Sequence, residues 1–149
     1  MKKSVIVLVL VAAILIGCAS TPKIGAMTDK EWKLAEVWVN NVNTGFDRGT
    51  LAREGFGESF TIFFDEKNVS GVGAPNRYSA PYATGSDQAI LIMVMRSTMM
   101  ASLFEPEKLR EHDYFIYLQN ANKWNIVNNR LEIYSKNEAG RDVRLVFTL

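Results

Sequence analysis

The sequence predicts an α+β domain: a mostly antiparallel, curled β-sheet or partial β-barrel packed with one α-helix. Three observations lead there. Short apolar–polar alternations recur along the chain, the period of two that marks strands buried on one face. Asn128-Asn129 separates two such runs, a hairpin signal. Only Pro106–Leu118 carries helical spacing. Many short strands with a single helix make a curled sheet the economical architecture.

In chain order, Trp32, Leu34 and Trp38 share one strand parity, with Ala35, Val37 and Val39 on the other. Gly45 to Gly57 is polar and Gly-rich and reads as a loop. Phe60, Ile62 and Phe64 alternate with Thr61 and Phe63 before a turn at Asp65–Asn68, and Val69–Val72 returns as the hairpin partner. Tyr78, Ala80 and Tyr82 alternate across Pro81, which lacks a backbone donor and so suits an edge or a bulge. Ala89–Met95 is apolar throughout, the pattern of a strand covered on both faces. Pro106 takes the first helical position, with Glu105 and Glu107 near the positive end of the dipole. Leu109, His112, Phe115, Ile116 and Gln119 then share one helix face, while Tyr114, Tyr117 and Leu118 occupy the other. Trp124 and Ile126, then Leu131 and Ile133, flank the Asn-Asn turn. Val143, Leu145, Phe147 and Leu149 form a last strand with Arg144 facing outward.

The N-terminal residues read as an address. Lys2 and Lys3 precede an unbroken apolar run from Val5 to Ile16. As a helix that run spans about 18 Å, short of the roughly 30 Å of a bilayer core, so it fits a secretory signal better than a membrane span. It closes on Leu15-Ile16-Gly17-Cys18, which resembles the lipobox of bacterial lipoproteins. There the peptidase needs small groups beside the scissile bond, and the thiol accepts the diacylglycerol. The expected division is a signal peptide at 1–17, a lipidated Cys18 with a tether to residue 28, and one domain over 29–149. Three acyl chains on Cys18 would make membrane attachment effectively permanent. The location implied is the bacterial cell envelope, and Ala19 after the cysteine favours the outer membrane in enterobacteria.

Composition limits the chemistry. The 149 residues hold 17 Lys+Arg against 16 Asp+Glu, one His and one Cys. Near-zero charge argues against a nucleic-acid partner, which calls for a basic face. One cysteine excludes an internal disulfide or a cysteine-cluster metal site, and one histidine excludes a His-x-x-x-His zinc site. His112 lies on the Leu109–Ile116 face, where a core or boundary role is expected, and Asp113 beside it points about 100° away. Glu105, Glu107, Glu111 and Asp113 interleave with Lys108 and Arg110 as an ordinary exposed face. Asp65-Glu66 belongs to a turn. Gly71-Val-Gly73 lacks the third glycine and following helix of a phosphate cradle. We therefore expect no enzyme activity, catalytic residue, metal or cofactor.

The ordered motifs resemble a known family. Gly71-Val-Gly-Ala-Pro-Asn76-Arg77-Tyr78-Ser-Ala-Pro-Tyr82 is similar to the Gly-x-x-Gly-Cys-Asn-x-Tyr-x-Gly-x-Tyr stretch of META domains of the HslJ-like lipoprotein type. Met95-Arg96-Ser97-Thr98-Met99-Met100-Ala101 is similar to that family's Ser-Thr-x-Met-Ala segment. Trp32-x-Leu34, the helical stretch, Trp124, Leu131-Glu-Ile-Tyr134 and Leu145-Val-Phe147 follow in the same order. The family often carries Cys before the Asn and a second Cys after Met-Ala; here Pro75 and the stretch around Ser102 replace them. The resemblance implies a small β-rich domain on an envelope lipoprotein, linked in some members to heat or antibiotic stress. It implies no established activity.

The candidate binding residues are Asn76, Arg77, Tyr78, Arg96 and Thr98. Asn76 is expected to bond its own turn backbone. Arg77 and Arg96 would meet if their strands pair. Met93, Met95, Met99 and Met100, with Leu103 and Phe104, are expected to fill an irregular core under the helix, or else to line a binding surface or cavity. Two functions follow. One is a lipid-anchored, non-enzymatic domain that binds or stabilises another envelope component. The other is a carrier of a small apolar ligand or lipid inside the β-domain.

Overall fold

A computed structural model describes residues 22–149. The expected signal peptide and Cys18 lie outside the described residues. Ten strands form one antiparallel sheet: β1 (Glu31–Val39), β2 (Val42–Asn43), β3 (Thr61–Phe64), β4 (Asn68–Val72), β5 (Arg77–Thr84), β6 (Ile90–Ile92), β7 (Arg96–Ser97), β8 (Lys123–Val127), β9 (Arg130–Lys136) and β10 (Asp142–Thr148). Helix α1 (Arg48–Arg53) lies between β2 and β3, and α2 (Glu111–Gln119) precedes β8. The order is β6-β5-β4-β3-β1-β10-β9-β8, with β2 on β1 and β7 on β5. The two ends of the sheet meet where Ala89 bridges Lys123 and the Ile90 amide donates to Asn122 O. The expected curled sheet with one main helix is the observed fold, a nearly closed barrel.

Alternation places the core. Phe60, Ile62 and Phe64 are fully buried, as are Leu131, Ile133, Leu145 and Phe147. Trp32, Leu34, Tyr114 and Leu118 complete the interior, so the barrel is filled by side chains. Phe46, Phe60, Tyr114 and Tyr78 form a run of edge-to-face rings that carries the packing from α1 to β5.

Several expectations give way. Trp38 does not share the inward face of Trp32 and Leu34: Ala35 is a bulge between Leu34 and Glu36, and the extra residue reverses the parity. Val37 therefore turns in, and Trp38 turns out beneath Arg144, 4.8 Å away. The Gly45–Gly57 loop contains α1, capped by Asp47, whose carboxylate accepts the Gly49 and Thr50 amides. The all-apolar Ala89–Met95 run forms a strand only over Ile90–Ile92, and Leu91 faces solvent because no described residue covers the outer side of this terminal strand. Helix α2 begins at Glu111, not Pro106, since Pro106 and Leu109 are buried before it and Arg110 has extended backbone. Tyr114 and Leu118 face the core. His112 is 68% exposed, 3.6 Å from Glu138, not a core or boundary residue. Leu149 also projects into solvent.

Pro81 sits as expected. Its missing donor faces the gap between β6 and β7, where Met93 N bonds Pro81 O.

Candidate functional site

The β4–β5 turn, residues 73–76, is where the sequence motifs converge. Gly73 N donates to Asn76 O at 2.6 Å, and the Ala74–Pro75 peptide is cis. This turn presents two amides to one acceptor: Ala74 N and Asn76 N both donate to Glu111 Oε1, at 2.5 and 2.6 Å. Glu111 opens α2, so its carboxylate also lies at the positive end of the helix dipole.

Asn76 is buried and uses its whole amide. Nδ2 donates to Glu111 Oε2 (2.7 Å) and Met100 O (3.2 Å). Oδ1 accepts from Thr98 Oγ1 (2.8 Å) and Met100 N (2.7 Å). The side chain therefore does not bond its own turn, as the sequence suggested. It ties the turn to α2 and to the chain after β7. Thr98 completes the joint by accepting the Arg77 amide at 3.1 Å.

Tyr78 points inward. Its hydroxyl donates to Thr61 O at 2.8 Å, Tyr114 donates to the same carbonyl at 3.0 Å, and the two oxygens lie 3.2 Å apart. Burial pushes both phenols well above their ordinary range, so both remain neutral donors. Gly71 sits opposite Tyr78 because a Cβ there would stand 2.1 Å from Thr61 O.

Arg77 and Arg96 are brought together. Strands β5 and β7 do pair, Ser79 opposite Arg96, with Thr98 N bonded to Arg77 O. Both arginines are exposed on the outer face, diagonal to one another. Of the five candidate residues, Asn76 and Tyr78 are buried in internal bonds, Thr98 is exposed but its hydroxyl is bonded to Asn76 and the Arg77 amide, and the two arginines are turned to solvent.

Two features escaped the sequence reading. Glu111 looked like one member of an exposed acidic face, yet it organises the joint. With the helix expected from Pro106, Glu111 stood in its middle, and nothing in the spacing marked it as the acceptor for the turn at residues 73–76. In the Met-rich stretch Met95 packs against the core, while Met93, Met99 and Met100 are exposed, as the alternative of a binding surface had it. Val94, Met99, Leu103 and Phe104 are 83, 98, 94 and 76% exposed. Alternation alone cannot tell a covered strand from a bare edge.

Comparison with known proteins places this geometry. The META domain model matches residues 25–147. An NMR structure of a protein from Burkholderia xenovorans is similar at 16% identity and TM-score 0.59, covering 83% of this chain and 85% of that one. A crystal structure of a DUF4847 family protein from Bacteroides vulgatus is similar at 14% identity and TM-score 0.57, covering 84% and 94%. Nothing among the curated proteins matches. Both solved structures share the fold.

Proposed function

The chain belongs to the META domain family, and on that premise we propose that it is a lipid-anchored bacterial envelope lipoprotein whose domain binds or stabilises another envelope component without catalysis. The anchor rests on Leu15-Ile16-Gly17-Cys18 closing a basic-then-apolar leader. The observation that carries the binding role is the exposure of the apolar chain from Leu91 to Phe104. A soluble domain rarely leaves so many large apolar side chains together in water unless something covers them.

The non-catalytic reading is supported by what the motif residues do. Asn76, Thr98 and Glu111 bond one another and the backbone, and Tyr78 and Tyr114 are buried donors to Thr61 O. His112 is exposed, 3.6 Å from the equally exposed Glu138, and no hydrogen bond among the described residues orients it as a base. The alternative of an internal apolar ligand is disfavoured, because Trp32, Phe60, Phe64, Tyr114 and Phe147 occupy the space it would need.

Cys18→Ser tests the anchor in the native host. Palmitate incorporation should be lost and the protein should leave the membrane fraction; retention with acyl label would overturn the reading. A photo-crosslinker at Leu103 in living cells should give a reproducible envelope adduct. Absence of any adduct would contradict the binding role.

A further inference from the structure

Eleven large apolar residues are exposed among the described residues, and seven of them lie between Leu91 and Phe104. They follow one path along the outer side of β5. Leu91 is opposite Ala83, Met93 and Val94 lie beside Ser79 and Pro81, and Met99 to Phe104 continue past β7. The path is held in place from inside. Asn76 grips both the N–H and the C=O of Met100, so backbone polar groups there are paired inward while the side chains project.

Its charge is one-sided. Arg96 is the sole ionisable residue from Leu91 to Phe104, and Arg77 stands diagonal to it. Among the described residues neither has a carboxylate within ion-pair distance. Adaptable Met and Leu side chains flanked by free guanidinium groups match an anionic phospholipid leaflet, with hydrocarbon for the former and phosphate for the latter.

The N-terminal segment says where such a leaflet lies. Met27 is buried and the turn Ile24–Ala26 precedes it, so the folded domain begins six residues after Cys18. Six extended residues reach about 20 Å. An acylated Cys18 therefore keeps this small domain against the bilayer surface.

We propose that the Leu91–Phe104 edge, with Arg77 and Arg96, docks on the phospholipid surface that holds Cys18, giving the domain a second membrane contact and a fixed orientation. This rests on the anchored reading above.

The test uses the mature acylated protein in vesicles of phosphatidylethanolamine and phosphatidylglycerol containing brominated acyl chains. Acylation consumes the single native thiol, so Met99→Cys supplies a unique site for a bimane label. Asp142→Cys, on β10 at the opposite side of the barrel, is the control. The label at 99 should blue-shift and lose fluorescence to the brominated lipid, while that at 142 should not. Arg77→Glu with Arg96→Glu should reduce the quenching at 99. Vesicle-bound protein whose label at 99 stays as water-exposed as that at 142 overturns the docking alone. Shielding at 99 that grows with protein density, without lipid quenching, assigns the edge to a second copy and also overturns it. If wild-type protein takes up the thiol label and fails to float with vesicles, the anchor itself is wrong and both readings fall.

Discussion

Gly71 and Gly73 hold their positions because of what a side chain would strike. A Cβ at Gly71 meets the Thr61 carbonyl at 2.1 Å, a backbone atom fixed in the sheet. A Cβ at Gly73 meets Glu111 Oε1 at 2.5 Å and Phe115 Cζ at 2.8 Å, the far ends of two side chains. Gly71→Ala should therefore destabilise more, by about 3 kcal/mol, against about 1–2 kcal/mol for Gly73→Ala, read from urea midpoints at unchanged slope. Asn76→Asp probes the same joint through charge. The variant sets a carboxylate against Glu111 where an N–H now donates, and two carboxylates sharing a site raise one apparent pKa. A folded pKa above the unfolded one means stability is retained in acid and lost as pH rises. The variant should unfold like wild type below about pH 4 and be clearly weaker at pH 7; equal destabilisation at both pH values would remove Glu111 from the explanation.

At the scale of elements, turns and register divide what could be read from what could not. Asn128 and Asn129 have φ of 51° and 60°, the left-handed pair that a two-residue hairpin needs, and the Asn-Asn signal alone foretold it. Asn129→Gly should be neutral or stabilising, whereas Asn129→Val should cost about 1–2 kcal/mol in thermal or urea unfolding. The same dipeptide at Asn40-Asn41, with φ of 48° and 62°, joins β1 to β2 and went unread because β2 is only two residues long. The bulge at Ala35 was invisible for a different reason. A parity change leaves no mark when Val37 and Trp38 are both apolar, and only pairing with β10 decides which turns inward. Helix α2 was legible as an element, but its start depends on the long-range docking of Glu111 against residues 74–76. Outside the barrel, Glu36 accepts from Arg130 and from the Trp38 indole at 2.8 Å, and these bonds hold its carboxyl below the ordinary value. A depressed folded pKa gives stability that is present above the unfolded value and lost as pH falls. Glu36→Gln should thus cost about 0.5–1 kcal/mol at pH 7, the modest worth of a partly exposed pair, and flatten the acid side of the stability profile.

For the molecule as a whole, the filled barrel and the bare edge belong together. The interior is closed by α2 and by the Ala89–Lys123 bridge, and among the described residues most of the exposed large apolar side chains lie outside it, along Leu91–Phe104. The family motifs, read first as candidate contacts, prove to build the joint from which that edge projects. Replacing Met99, Leu103 and Phe104 together by Ser should leave the unfolding midpoint within about 0.5 kcal/mol, because exposed side chains add little to folding, while reducing envelope adducts. All of this depends on the domain being held at a membrane through Cys18. The intact mass of the protein recovered from its host's membranes tests that most directly. The expected species is the 132-residue chain Cys18–Leu149 carrying a diacylglyceryl group and an N-acyl chain. An unprocessed 149-residue chain, or any form with a free Cys18 thiol, would contradict it.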